Sequence, residues 1–204
     1  LYSFSTGLIE QGGSRRGALM LILNIWHPDI EEFITSKTQM GKITNANISV
    51  GLTDEFMAAV AADADWQLIF PDKDDPQYDT LWDGNLNQWQ AAGRKVRVAK
   101  TVRARELWNK IIDSAWASAE PGLFFMDRYN AMSPSSYYAP ILCTNPCGEQ
   151  GLPAWGVCNL GAVNFAKFTK PEFRAEESHS VSEALAGVRW QELGTTIRTA
   201  VRFL

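Results

Sequence analysis

The fold class is decided by residues 16 to 37, which read RGALMLILNIWHPDIEEFITSK. Residues 16–26 are apolar almost throughout, as expected of a strand that is buried on both faces of a sheet. Pro28 in the first turn, the acidic residues after it and an apolar face through Ile34 predict a helix up to Lys37. A buried strand followed at once by an amphipathic helix is typical of an α/β fold.

Further strands and helices alternate along the chain in the same way. Strands are predicted at 48–52 and 66–70, and a helix that opens at Thr53 separates them. The clearest helix is predicted over 101–120, where apolar residues form one wide stripe. Residues 71–99 are predicted to be irregular, and further strands are predicted at 123–126 and 160–168. A surface linker is predicted over 170–187 and a last helix over 191–204. Most of the tryptophans are expected in the core.

The composition is that of an ordinary globular protein, with 46% hydrophobic and 21% charged residues among 204. The net charge of −4 is too small to indicate nucleic-acid wrapping or binding to an anionic membrane surface. The longest apolar stretch, 18–26, is much shorter than the ~20 residues that span a bilayer. The chain starts without methionine and stops on a predicted helix, so we expect an interior piece of a longer protein.

The first candidate site is the segment QGGSRRGA at residues 11 to 18. Glycines let a backbone approach a ligand closely, and paired arginines offer fixed forks for phosphates or base edges. The spacing matches neither a Walker loop nor the dinucleotide-binding fingerprint. From the residues alone, a nucleotide-binding loop and a glycine-rich surface turn with solvated arginines both remain open.

The second candidate site is CTNPCGEQ at residues 143 to 150, followed by CNLG at 158 to 161. In an extended or looped backbone, Asn145, Cys147 and Glu149 project to the same side, so an amide, a thiol and a carboxylate could meet one ligand. Such a thiol serves as a nucleophile, a metal ligand or a redox centre, and the carboxylate can exchange a proton. Cys158 is placed to act as a second redox thiol.

Less specific interpretations compete with this one. Cys143 lies in an apolar run and is interpreted as a small buried residue, and His27 as a structural hydrogen-bonding residue. An odd, clustered set of cysteines favours a reducing compartment over a disulfide framework. A zinc site formed by the cysteines and His179 is the other alternative, although the spacing typical of zinc ligands is absent.

The motifs, taken in order, resemble the catalytic subunit of ribonucleotide reductases, most closely the adenosylcobalamin-dependent class II type. Each motif alone is weak evidence, whereas the ordered set is specific and runs over most of the chain. The motifs are GGSRRGALM at 12 to 20, HPDIEEF at 27 to 33, NISV at 47 to 50, ELW at 106 to 108, NPCGEQ at 145 to 150 and CNLGAVN at 158 to 164.

The resemblance implies roles for individual residues. Cys147 matches the thiyl-radical cysteine that takes the 3′ hydrogen of the ribose, and Glu149 matches the carboxylate that accepts the 3′-hydroxyl proton. Asn145 matches the amide that holds the ribose hydroxyls. Cys158 matches one member of the cysteine pair that supplies two electrons, and the family's other member lies upstream of the glycine-rich loop. The residues matching the substrate-specificity loop are Gln11, Gly12, Gly13 and Arg15.

The resemblance also implies a fold, a reaction and partners. Residues 1–204 would be an interior part of a single ten-stranded α/β barrel whose radical cysteine sits on a loop in its centre. The reaction would reduce ribonucleotides to deoxyribonucleotides for DNA replication, in the cytoplasm, with adenosylcobalamin and no metal site in this chain. Deoxynucleotides and ATP would act as allosteric effectors, and a thioredoxin-like or glutaredoxin-like protein as reductant of a homodimer. The close alternative is a class I reductase with a separate radical-generating subunit, and we expect this chain alone to be inactive.

Overall fold

The computed structural model describes residues 1–11, 15–38, 41, 43–174 and 180–204. These residues divide into unit 1, Leu1–Gly156, and unit 2, Val157–Leu204. Gly12, Gly13 and His179 lie outside the described residues, and for Gln11 and Arg15 the backbone alone is described.

Strands and helices alternate through unit 1, as the sequence predicts. Its strands are β1 (Glu10–Gln11), β2 (Arg15–Arg16), β3 (Met20–Asn24), β4 (Asn47–Leu52), β5 (Asp65–Pro71), β6 (Val96–Arg103), β7 (Gly122–Phe125), β8 (Cys143–Thr144) and β9 (Gly151–Leu152). Its helices are α1 (Tyr2–Leu8), α2 (Ile30–Thr35), α3 (Asp54–Ala61), α4 (Tyr78–Leu81), α5 (Leu86–Ala91), α6 (Ala104–Ser118) and α7 (Met126–Met132).

The centre of unit 1 is a three-stranded parallel sheet with the order β3-β4-β7. Met20 pairs with Asn47 at the amino end of the first two strands, and the register continues without a shift to Asn24 and Gly51. All residues of β4 after Asn47 are buried, because β4 has a partner on each side. The α/β class is confirmed. Among the described residues the strands form open sheets, as expected of part of a barrel.

The strand predicted over 16–26 is shorter and less buried than expected. β3 covers only Met20–Asn24, and its residues are half-buried. In the described residues β3 pairs with β4 alone, so it forms an edge of this sheet. The prediction of a strand covered on both faces was therefore wrong in its burial, although it was right in type and position.

The helices pack on the sheet through one apolar core. Thr53 caps α3 by accepting a hydrogen bond from the Phe56 N–H at 3.1 Å, as predicted. The ring of Phe56 packs edge-on against Trp66, with 5.2 Å between ring centroids. The core consists of Ile25, Ile30, Ile34, Val50, Leu52, Phe56, Val60, Leu68, Ala104, Leu107 and Ile111.

The pairing of β5 with β6 shows that the longest helix, α6, begins later than predicted. Residues 101–103 belong to β6 and pair with 65–67 of β5, so α6 begins at Ala104 rather than at residue 101. The predicted irregular excursion over 71–99 contains α4, α5 and the first part of β6. Cross-strand pairing that sequence periodicity does not reveal decides this boundary.

The predicted apolar stripe of α6 is only partly buried. Leu107 and Ile111 face the core, whereas Ile112 is 47% exposed and Trp116 is 90% exposed. Of the eight tryptophans, Trp89 is buried and the half-buried Trp66 and Trp108 pack against the core, whereas Trp116, Trp155 and Trp190 are exposed. The expectation that the tryptophans mostly belong to the core was therefore wrong for these three.

Unit 2 is helical in its described residues. It contains a 3₁₀ helix (Phe165–Phe168), α8 (Val181–Ala186) and α9 (Trp190–Phe203). The last helix is confirmed, but residues 160–168 form no strand and the predicted linker contains α8. None of the helices in the described ranges has the length and apolar character of a membrane span.

Candidate active site

The segment with the amide, the thiol and the carboxylate is the loop of a short hairpin. β8 and β9 are antiparallel, with Cys143 opposite Leu152 and Thr144 opposite Gly151. Two ladder pairs leave residues 145–150 as the connecting loop. Asn145, Cys147 and Glu149 therefore occupy one compact turn of the chain.

Backbone hydrogen bonds close this loop on itself. The Asn145 N–H donates to the Gln150 carbonyl oxygen at 3.1 Å, and the Gly148 N–H donates to the Asn145 carbonyl oxygen at 3.0 Å. The order Asn-Pro-Cys-Gly supplies residues that favour such a turn, with Pro in its second position. Gly148 has a φ of +87°, in the left-handed region that favours glycine. The loop is therefore a defined turn with Cys147 at its tip.

The base of the hairpin is fixed to α7. Asn130 forms two hydrogen bonds with Ile141, accepting from its N–H at 2.8 Å and donating to its carbonyl oxygen at 3.0 Å. Gly151 packs against Tyr129 so closely that a Cβ atom would lie 2.6 Å from the ring carbons. These contacts leave the tip as the part of the hairpin that can meet a ligand.

The three candidate groups differ in their availability. Cys147 and Glu149 are exposed, and Asn145 is half-buried. The Asn145 Oδ1 accepts a hydrogen bond from the Gln150 N–H at 2.9 Å, whereas its Nδ2 has no partner among the described residues. The sequence did not predict that the side-chain oxygen of Asn145 is already bonded, so that its Nδ2 is left as a donor. One six-residue loop thus carries an N–H donor, a thiol and a carboxylate.

The tip of the loop lies against the amino end of the parallel sheet. The Asn47 Nδ2 donates to the Pro146 carbonyl oxygen at 2.7 Å. A Cβ atom on Gly148 would lie 3.6 Å from the Met20 Cε. Asn47 and Met20 are paired at the start of β4 and β3. Sequence reasoning quoted Asn47 only as the first residue of the NISV motif and assigned it no role, because its link to the loop is not visible in the local sequence.

The glycine-rich segment enters the same end of the sheet. Its flanks form a two-stranded ladder in which Glu10 pairs with Arg16 and Gln11 with Arg15, and the Gly17 N–H donates to the Ile9 carbonyl oxygen at 2.7 Å. β3 begins at Met20, directly after this segment. The described residues after Arg16 thus lead to the amino end of β3, the end of the sheet against which the loop 145–150 lies. Gln11 and Arg15 as specificity residues stay a prediction.

Cys143 lies in β8, in the same hairpin as Cys147. Its half-buried thiol is 3.6 Å from the Leu152 carbonyl oxygen, to which it donates. Burial raises the pKa of the Cys143 thiol, which disfavours the reactive thiolate. These features fit a supporting residue of the hairpin.

Cys158 belongs to unit 2 and is half-buried in a segment without regular structure. The neighbouring Asn159 Nδ2 donates to the Leu204 carbonyl oxygen at 2.7 Å within the same unit. Its proposed redox role stays a prediction. Groups of three or more histidine, cysteine or acidic side chains that could hold a metal ion are absent from the described ranges, and His179 lies outside them.

His27 makes contacts that are typical of a structural residue. Its Nδ1 accepts a hydrogen bond from the Asp29 N–H at 3.1 Å, and its ring packs edge-on against Phe70 with 5.3 Å between centroids. Burial is the largest effect on the imidazole and lowers its pKa, against the opposing charge of Asp29. These contacts agree with the interpretation of His27 as part of the fold.

Comparison with known proteins gives a family for this arrangement. Residues 2–204 match the family described as "Ribonucleotide reductase, barrel domain". A vitamin B12-dependent ribonucleoside-diphosphate reductase of Thermoplasma acidophilum is 37% identical over 100% of this chain and 22% of its own length. The enzyme of the same name from Mycobacterium tuberculosis is 32% identical over 100% of this chain and 24% of its own length.

A more distant relative is the ribonucleoside-diphosphate reductase subunit alpha of Chlamydia trachomatis. It is 28% identical over 96% of this chain and 19% of its own length. The chain thus spans between 19% and 24% of the length of these relatives. Since the family match covers nearly every residue, the chain belongs to the barrel-domain family of ribonucleotide reductases.

Proposed function

We propose that the protein containing this chain reduces ribonucleotides to 2′-deoxyribonucleotides by thiyl-radical chemistry. The observation that carries the proposal is the closed loop 145–150, which presents a thiol, a carboxylate and an amide N–H donor from one turn. The roles proposed for Asn145, Cys147 and Glu149 follow from the family to which the chain belongs. The similar enzymes are named ribonucleoside-diphosphate reductases, so we take diphosphates as the substrate class.

The loop residues divide the work at the ribose. A sulfur radical on Cys147 takes the hydrogen atom from C3′, leaving a carbon radical and a thiol, and the thiol returns the hydrogen atom at the end. Glu149 accepts the 3′-hydroxyl proton, and its exposure lets a substrate reach it. Asn145 donates its Nδ2 hydrogen to a ribose hydroxyl oxygen, because its Oδ1 is already engaged by Gln150.

The reduction needs a source of electrons. The 2′-hydroxyl leaves as water, and two thiols that form a disulfide supply the two electrons and two protons that balance this loss. Cys158 is proposed as one of these thiols. This chain has no cysteine ahead of Cys143, so the partner that the resemblance places upstream is not among its residues. A thioredoxin-like or glutaredoxin-like protein would reduce the disulfide after each turnover.

Adenosylcobalamin is the proposed source of the radical. When bound, this cofactor supplies one-electron radical chemistry of the kind that forming a thiyl requires. The Cys147 thiol fits this role because it is exposed at the tip of a hairpin, where a radical source can reach it. The names of the relatives from Thermoplasma acidophilum and Mycobacterium tuberculosis support the choice. We assign to this chain the target thiol, and no residues that hold the cofactor.

The wider proposal concerns the assembly. We place residues 1–204 within one barrel domain and Gln11, Gly12, Gly13 and Arg15 in its substrate-specificity loop. Deoxynucleotides and ATP would act as effectors on a cytoplasmic homodimer. The chain enters β3 shortly after Arg15 and Arg16, and the loop 145–150 lies against Met20 and Asn47 at the amino ends of β3 and β4, which supports a part in substrate choice.

Replacing Cys147 by serine in the full-length protein tests the function. Serine has nearly the size of cysteine but no sulfur atom, so it cannot form the thiyl radical. Turnover should therefore fall to background, while nucleotide binding should be retained. Deoxyribonucleotide formation measures the first and equilibrium binding the second. Cys143→Ser is the matched control in the same hairpin and should retain turnover. Reduction by the Cys147→Ser protein would disprove the radical role.

Two alternatives have direct tests. The first alternative is a reductase whose radical comes from a separate subunit, and the Chlamydia trachomatis relative is named a subunit alpha. Turnover of the full-length protein with adenosylcobalamin and a reductant, but without a second reductase subunit, would exclude this alternative, and failure would support it. For a zinc-binding thiol module, the metal content of the purified protein decides. Stoichiometric zinc that disappears on mutation of Cys147 or Cys158 would support that module.

A further inference from the structure

Asn47 connects the central strand to the loop that carries Cys147. Its Nδ2 donates to the carbonyl oxygen of Pro146 at 2.7 Å, and this carbonyl belongs to the peptide directly before Cys147. The two residues are 99 positions apart in the chain. Within the described part of the chain, this is the only hydrogen bond that residues 145–150 receive from outside their hairpin. The contact therefore holds the tip where the hairpin meets the sheet.

The backbone around Asn47 is itself firmly held. Its N–H donates to the Leu19 carbonyl oxygen at 2.8 Å. The next N–H, of Ile48, donates to the Glu120 Oε1 at 2.9 Å, and Glu120 forms an ion pair with Lys37. The Lys37 side chain is 13% exposed and that of Glu120 is 23% exposed. Asn47 thus extends its amide from a fixed point of the sheet.

The loop has the opposite character, being closed internally and attached by a narrow stem. The hydrogen bonds between Asn145 and Gln150 tie its two ends together, so it can move only as one piece. Its stem has two ladder pairs, and Asn130 fixes the stem at the far end, at Ile141. A single bond at the tip can therefore set the direction in which the Cys147 thiol points.

We propose that Asn47 is a positioning residue for Cys147, an inference that rests on the proposed function. A sulfur radical takes a hydrogen atom only at short range, and misplacement by 1 Å costs as much as about 100-fold in rate. Asn47 touches neither the substrate nor the reacting atoms in this assignment. It acts through the Pro146 peptide and keeps the thiol in the productive place.

Three substitutions at position 47 of the full-length reductase test this role. Asn47→Ala removes the donor, Asn47→Asp keeps the shape but removes the N–H donor, and Asn47→Gln keeps the donor on a longer arm. We expect the first two to lower kcat about 5- to 10-fold, because one hydrogen bond is lost and the thiol is less well placed. KM for the nucleotide should change less, and Asn47→Gln should restore most of the turnover.

Controls separate positioning from a loss of folded protein. Turnover is normalised to the folded fraction from circular dichroism, and Asn87→Ala, an exposed asparagine in α5, should match the wild type. Wild-type kcat in Asn47→Ala, with Cys147→Ser inactive, would overturn the positioning role and leave the function standing. Equal losses in all three variants, with lower thermal midpoints, would show a structural role and overturn it too. Turnover by Cys147→Ser would instead overturn the function itself.

Discussion

Replacing Asn130 by alanine should loosen the hairpin that carries Cys147 without unfolding the sheet. Its two hydrogen bonds to Ile141 measure 2.8 and 3.0 Å, and Ile141 is only 5% exposed. A buried peptide group that loses its partner costs about 1–3 kcal/mol. With two groups affected and some relaxation, we expect the free energy of opening the hairpin base to fall by about 2 kcal/mol. That corresponds to about 30-fold more frequent opening.

Hydrogen–deuterium exchange of the full-length protein measures this opening directly. The informative amides are those of Ile141, bound to Asn130, and Leu142, bound to the Leu152 carbonyl oxygen at 2.9 Å. Peptides covering 141–152 should exchange about 30-fold faster in Asn130→Ala, where exchange reports the open population. The peptide covering 47–52 reports the buried central strand and should keep its rate.

Two results would refute this reasoning. Unchanged exchange over 141–152 would mean that other contacts, such as the packing of Gly151 on Tyr129, hold the hairpin base. Equal acceleration over 47–52 would mean that Asn130 stabilises the whole unit rather than the hairpin. Asn87→Ala serves again as the exposed asparagine control and should change neither peptide.

The remaining predictions concern single residues of the hairpin. Gly148→Ala forces alanine to a φ of +87°, which costs about 1–2 kcal/mol and should lower kcat. Gly194→Ala is the comparison, because Gly194 has no positive φ and its Cβ would lie 3.9 Å from the nearest side chain. Equal kcat in wild type and Gly148→Ala would contradict the strain. Burial raises the pKa of Cys143, so its alkylation should be slow at neutral pH and accelerate as the pH rises through that raised value. Mass spectrometry of the labelled peptide follows this reaction, and a rate that levels off below the pKa of a free cysteine would contradict it.

The sequence predicted those elements whose signals are local. Thr53 caps α3 where the capping rule puts it. α2 is present in the predicted region, but it begins at Ile30 with Asp29 as its N-cap, so Pro28 precedes the first turn, and it ends at Thr35 rather than at Lys37. β4 follows from the apolar residues that repeat between 48 and 52. In each case the deciding contacts lie within a few residues, so the pattern and the structure agree.

The predictions failed where contacts with residues distant in the sequence determine the secondary structure or the burial of a side chain. The predicted helix includes residues 101–103, yet these residues pair with β5 and extend β6. Trp116 has the right spacing for the buried stripe of α6, but the face that packs on the core includes Ser114 in its place. Periodicity gives the existence of an amphipathic helix and leaves its rotation about its axis to tertiary packing.

In the candidate site too, the residues that lie close together in the sequence could be predicted and the distant ones could not. Asn145, Cys147 and Glu149 could be grouped from the sequence because one turn contains them, and the Pro and Gly of that turn are local signals. Asn47 could not be found in this way, since its link to Pro146 crosses 99 positions. Cys158 belongs to a separate compact unit, so the geometry of the hairpin says nothing about its role. The proposed radical step therefore rests on local geometry that substitutions within unit 1 can test, whereas the proposed role of Cys158 needs a test on the full-length protein.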